Sequence, residues 1–128
     1  MPKKTRGSRQ RKNQPLELSA TARAAIEEAT LAAAMIPLEV AELSLEAAEL
    51  AGEIARIGNV NAATDAAAGA LMAQAAVGSA ALNVKVNAND LQDKVQAGAL
   101  CEQISELENR VAEVVKQAQE TAAERGGY

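Results

Sequence analysis

Between Ala66 and Val77 the chain contains almost nothing larger than alanine; Leu71, Met72 and Gln74 are the exceptions. Alanine is the strongest helix former and a small burier of apolar area. Such a segment folds as a helix, and neighbours can approach it closely on every face. The rest of the chain offers little compensating bulk, since aromatics are 1% of residues, with one Tyr and neither Phe nor Trp. The core must therefore come from many close helix contacts. A length of 128 residues suits one domain. The expected architecture is all-α, a bundle of about four helices with this segment central, gaining further buried area by forming a homo-oligomer, most simply a dimer.

Charge is placed unevenly. Six of the 13 basic residues (Lys3, Lys4, Arg6, Arg9, Arg11 and Lys12) precede the first acid, Glu17, leaving seven against 17 acids from there on. Residues 1–18 read as a basic flexible arm or exposed loop. A phosphate or nucleic-acid contact is one use of such an arm. No aromatic interleaves with the basic residues, so base stacking has no platform and nucleic acid is not the expected partner. With no His and one Cys, Cys101, Cys/His zinc sites, Ser-His and Cys-His pairs and internal disulfides are excluded. No metal site is expected. No apolar run reads as long enough to span a membrane, and nothing resembles a secretory signal. The expected compartment is the cytoplasm.

Ser19 opens a first helix, expected over Ala20–Met35 with Ala22, Ala25, Ile26, Ala29, Ala32 and Ala33 as its apolar stripe. Pro37 either starts a second helix or kinks one long one. The segment from Pro37 to Ile57 buries Leu38, Ala41, Leu45, Ala48, Ala51 and Ala55, and Gly58 caps it. A third helix begins near Asn61 and runs through Asn87, with Asn89-Asp90 as the following turn and cap. A fourth spans about Leu91 to Glu124. Its Leu100, Ile104, Leu107, Val111, Val114 and Ala118 recur at alternating steps of four and three, a seam for another helix in this subunit or a second one. Cys101 lies beside the seam without a cation to activate it. Residues 19–124 form the helical domain, and 125–128 are a tail expected to fray.

One polar cluster interrupts the apolar pattern: Gly58-Asn59-Val60-Asn61-Ala62-Ala63-Thr64-Asp65. Two readings stand. Asn59, Asn61 or Thr64 caps the third helix, with Asp65 in its first turn, where the helix dipole favours a carboxylate. Alternatively, spare N–H groups and the Asn and Asp side chains grip a polar ligand. Asn83 and Asn87, spaced i, i+4, share a helix face and either bind a ligand or satisfy the next turn.

Ile36-Pro37-Leu38, Gly58-Asn59-Val60-Asn61, Thr64-Asp65-Ala66 and Ala81-Leu82-Asn83-Val84-Lys85-Val86-Asn87 occur in an order and spacing that resembles the cyclodeaminase/cyclohydrolase family of folate enzymes. Pro2-Lys3-Lys4-Thr5 looks like that family's Leu-Pro-Lys-x-Thr loop. The resemblance runs from about Ala24 to Asp93 and corresponds to the C-terminal portion of the family's domain. Family members begin with further helices carrying a Pro-Gly-Gly-Gly-Ser start and an acidic residue, neither of which this chain contains, and Ala67 replaces the usual Gly. The resemblance implies a tetrahydrofolate derivative as substrate and no prosthetic group. It places Asn59, Asn61 and Asp65 near the folate cleft, with Asn83 and Asn87 as further substrate-binding candidates. The reactions concerned are hydrolysis of the methenyl bridge, or closure of a formimino group with loss of ammonia. Either needs a placed acid or base, and Asp65 is the catalytic candidate within the cluster. The alternative is a non-catalytic helical oligomerisation or binding protein that retained the fold and lost part of the site.

Overall fold

Three long helices account for nearly all of residues 17–128, the part of the chain that the computed structural model describes. The basic residues from Lys3 to Lys12 and the Pro-Lys-Lys-Thr loop lie outside the described residues. The helices run up, down and up: α1 spans Ala20–Ile57, α2 spans Ala63–Asp90 and α3 spans Lys94–Gly126. There is no strand among the described residues.

Ser19 caps α1, its Oγ accepting the Ala22 N–H at 3.1 Å. The helix continues through Pro37, so the two helices expected on either side of that residue are one, and the bundle has three helices where about four were expected. A proline inside a helix has no N–H for the carbonyl four residues back, here that of Ala33. The vacancy is filled from α2: Asn87 Nδ2 donates to the Ala33 carbonyl at 3.3 Å. Long-range repair of this kind lets one helix persist over 38 residues.

α1 buries Ala34, Leu38, Ala41, Leu45, Ala48 and Ala55, the face expected for its second half. The stripe expected for its first half is different. Ala25, Ala29, Ala32 and Ala33 are exposed and Ile26 is 52% exposed, whereas Glu27, Thr30 and Leu31 turn inward. Alanine scattered on every face gives no periodicity to follow there. Glu27 faces inward for a reason: its carboxylate accepts the N–H groups of Gln92 and Asp93 at 2.9–3.1 Å. These belong to the tight turn before α3, whose N-cap is Asp93, accepting from Val95 and Gln96. The cap therefore falls beyond the expected Asn89-Asp90, and α3 starts at Lys94. Leu91, fully buried in the turn, anchors it.

α2 runs antiparallel to α1 at close range, as its small residues require; a Cβ placed on Gly69 would meet the Ala51 Cβ at 4.0 Å. Val77, Ala81, Val84 and Ala88 face the interior. The α3 seam packs within the chain: Leu100, Ile104, Val111 and Ala118 are buried, with Leu107 and Val114 partly so. Lys85–Glu108 and Arg110–Glu49 ion pairs, at 2.6 and 2.7 Å, tie α3 to α2 and α1 across the rim. Exposed pairs of this sort contribute about 0–1 kcal/mol each. The helix does not fray at Glu124 but continues to Gly126, with Gly127 in the left-handed conformation at φ 75° that ends it. Contrary to the sequence expectation, α2 with its preceding turn is long and apolar enough to cross a membrane by length and composition, and a third (33%) of that window is buried within the bundle.

Candidate functional site

The polar cluster forms the corner between α1 and α2. α1 ends as the Gly58 N–H donates to the Ile54 carbonyl at 2.8 Å. Gly58 has extended backbone angles, φ −74° and ψ −174°, not the left-handed geometry expected of a helix-ending glycine. Space is what requires glycine: a Cβ there would lie 2.6 Å from the Ile54 carbonyl oxygen. Asn59 then begins a 3-10 turn, Val60–Ala62, its Oδ1 accepting the Asn61 N–H at 2.9 Å and its carbonyl accepting from Ala62. α2 follows from Ala63 without a side-chain cap, so Thr64 does not cap it; Asp65 lies in the first turn.

The corner is held from α3. Arg125 Nη1 donates to the Ala55 carbonyl and Nη2 to the Gly58 carbonyl, each at 2.6 Å. Beneath it Ala63, Ala67 and Ala122 form a small buried cluster. Arg125 was missed as a structural residue because it falls at the expected frayed tail. A cation in the last turn of a helix is a legible signal, but its target on another helix is not. Beside the corner, the hydrogen bond and charge of Arg56 hold the Glu53 carboxyl below the usual carboxylate range, and the same pairing raises Arg56.

The five candidate residues do not come together in one copy. Asn59, Asn61 and Asp65 share the corner and are exposed. Asn59 is used in the turn, whereas the side chains of Asn61 and Asp65 make no hydrogen bond among the described residues. Asn83 and Asn87 lie at the other end of α2, where 18 residues from Asp65 to Asn83 amount to about 27 Å. Their amides are committed to backbone: Asn83 Nδ2 to the Ser79 carbonyl at 3.3 Å, Asn87 Nδ2 to the carbonyls of Asn83 (2.8 Å) and Ala33 (3.3 Å). A shallow cleft of about 340 Å³, lined by Met35, Ile36, Leu38, Glu39, Glu42 and Gln103, lies between α1 and α3 and includes none of the five. Cys101 is half-buried, as expected of a thiol beside the seam.

Fold and corner together define an all-helical domain with free carboxylate and amide groups at a helix junction. Residues 7–106 match the formiminotransferase-cyclodeaminase family, and the chain belongs to that family. A methenyltetrahydrofolate cyclohydrolase of Methylorubrum extorquens (strain ATCC 14718 / DSM 1338 / JCM 2805 / NCIMB 9133 / AM1) is 41% identical over 102 residues, covering 80% of this chain and 47% of the relative. The chain thus spans about half the length of the curated relative it matches.

Proposed function

We propose that this chain takes part in folate one-carbon chemistry, acting on the methenyl bridge of tetrahydrofolate as a cyclohydrolase. The observation that carries the reading is the corner itself. Within a chain of this family, and 41% identical to a cyclohydrolase, the Asn61 and Asp65 side chains at this corner are exposed and make no hydrogen bond among the described residues. In the proposed reaction the Asp65 carboxylate accepts a proton from water as its oxygen bonds to the bridge carbon. The carbon–nitrogen bond then breaks, that proton passes to the departing nitrogen, and the remaining hydroxyl proton is released to solvent as the carbonyl of the formyl group forms. Asn61, four residues away, orients the polar edge of the substrate, and Asn59 shapes the turn that carries both. The compartment proposed is the cytoplasm, and the deaminating reaction of the same family is the neighbouring possibility for the same corner.

Absorbance decay of methenyltetrahydrofolate tests the reading. The chain should accelerate decay over buffer, and Asp65→Asn should lower the rate by roughly 100-fold or more, the usual worth of a placed acid–base group. Absence of both acceleration and folate binding would overturn it. A second reading, a helical binding or assembly protein without catalysis, draws support from the distance between the two polar groups and from the structural employment of Asn87. Folate binding without turnover, or neither, is its signature.

A further inference from the structure

The last turns of α3 touch the corner in two ways. Buried Ala122 packs with Ala63 and Ala67 of α2. One turn on, Arg125 reaches the end of α1 and donates to the Ala55 and Gly58 carbonyls at 2.6 Å each. The two contacts hold different parts of the corner. Ala63 and Ala67 flank Asp65 in the first turns of α2, and Asp65 is exposed where they are buried. Packing of the alanines therefore sets the place of Asp65. Asn61 is held otherwise: no residue of the 3-10 turn Val60–Ala62 is buried, and the turn hangs from Gly58.

A short series of bonds connects Arg125 to Asn61. The final carbonyls of a helix have no N–H partner within it. The helical partner of the Ala55 carbonyl would be the Asn59 N–H, but Gly58 turns the chain away, with φ −74° and ψ −174°. Arg125 takes its place. Among the described residues nothing else donates to the Gly58 carbonyl. That carbonyl shares a rigid peptide plane with the Asn59 nitrogen, so holding it fixes the direction in which Asn59 leaves. Asn59 then fixes the next two residues: its Oδ1 accepts the Asn61 N–H and its carbonyl the Ala62 N–H, both at 2.9 Å. Two carbonyls on different parts of the chain suit the planar fork of a guanidinium, not the single point of an ammonium. Arg56, nearer in sequence, is engaged with Glu53 on the outside of α1. The backbone at Arg125 is itself anchored, since the Gly127 and Tyr128 N–H groups both donate to the Ala123 carbonyl, at 2.9 and 3.1 Å.

We propose that Arg125 is a positioning residue for the folate reaction, setting Asn61 relative to Asp65 so that the orienting amide and the acid–base carboxylate meet one substrate. The proposal rests on the reading of the corner given above. Arg125 touches no reacting atom and acts through the Gly58 carbonyl and Asn61. It lies beyond residues 7–106, the span that matches the family, so family membership assigns it no role.

A double-mutant cycle on methenyltetrahydrofolate decay tests it. Arg125→Ala and Asn61→Ala should each lower kcat/KM roughly tenfold, inside the cost of up to about 100-fold for a misplacement of about 1 Å. Because one acts through the other, the double variant should also be roughly tenfold down. A merely structural role would multiply the two losses to roughly 100-fold and would overturn the proposal. Rates are taken per folded chain, from helical circular dichroism below the melting range of every variant. Arg125→Lys keeps the charge without the fork and should stay below the parent; full activity there would assign the effect to charge and overturn it as well. Glu27→Ala, about 46 Å along α1 from Gly58, should turn over as the parent does, and a tenfold loss there would trace the effect to stability and overturn the positioning role. Where Arg125→Ala does not fold, Arg125→Lys takes its place in the cycle, with the same non-additivity expected. A parent chain that does not accelerate decay overturns the reading of the corner and this proposal with it. Turnover lost in Asp65→Asn yet unchanged in Arg125→Ala overturns this proposal alone.

Discussion

Replacing Asn87 with alanine separates a structural from a substrate role at one position. The Asn87 amide supplies the hydrogen bond that Pro37 withholds from the Ala33 carbonyl. Losing it leaves that carbonyl short of a donor within α1, a cost of about 1–3 kcal/mol for a buried group. Asn87 is half-buried and its bond to Ala33 is 3.3 Å long, so water recovers part of this and about 1.5 kcal/mol is expected. In a Pro37→Ala background the Ala33 carbonyl regains a helical donor, and Asn87→Ala should then cost about 0.5 kcal/mol. The difference, a coupling of about 1 kcal/mol, lies within the range for residues in direct contact. Urea unfolding of the four variants at one fixed protein concentration measures it, with unchanged slopes expected. Additive losses, a coupling below about 0.3 kcal/mol, would refute the repair. A large loss of folate turnover at unchanged stability would return Asn87 to the substrate.

Arg125→Met removes two charge-assisted bonds to the end of α1 and should cost about 2 kcal/mol in urea unfolding, with Arg125→Lys recovering part; hydrogen exchange should rise first over Gly58–Asn61. Gly58→Ala pushes a Cβ onto the Ile54 carbonyl and should destabilise by about 1–3 kcal/mol; a neutral result would mean that the corner relaxes freely. Glu27→Ala and Asp93→Ala should each cost about 1 kcal/mol through the turn before α3, and a thermal melt that shifts for neither would discount that turn. The Glu53 carboxyl titrates lower in the folded chain than in the unfolded one. Its small contribution to stability is therefore present above the unfolded pKa and fades as pH falls through the folded one. Arg56→Ala should raise the Glu53 midpoint in an NMR titration and leave the urea-unfolding midpoint at neutral pH unchanged, as befits an exposed pair.

Much of the fold was legible because the large apolar residues are periodic. Leu38, Leu45, Leu100, Ile104 and Val111 are buried where a helical repeat places them. Legibility failed where the signal is alanine on every side, as between Ala22 and Ala33, and where a local cue is answered from far along the chain. Pro37 signalled a break, but its remedy sits 50 residues away on α2. Asn89-Asp90 has good capping chemistry, yet Leu91 must reach the core first and Asp93 becomes the cap. The corner was legible as a corner from Gly58, Asn59 and Asp65. What the sequence could not separate is use from vacancy: Asn59 is occupied in the turn, whereas Asn61 and Asp65 are not.

The alanine faces that bring α1 and α2 together also leave the pair with little to stop it from sliding. Large side chains seat in holes and select one alignment; rows of methyl groups are nearly equivalent from one turn to the next. In this molecule the alignment falls to polar ties near the ends of the rods: Asn87 to the Ala33 carbonyl, Glu27 to the turn at Gln92, and Arg125 to the Gly58 carbonyl. A shift by one helical turn, about 5.4 Å, would keep most of the apolar contact and break these ties together. They act less as glue than as index marks, holding the corner at a set height relative to α3.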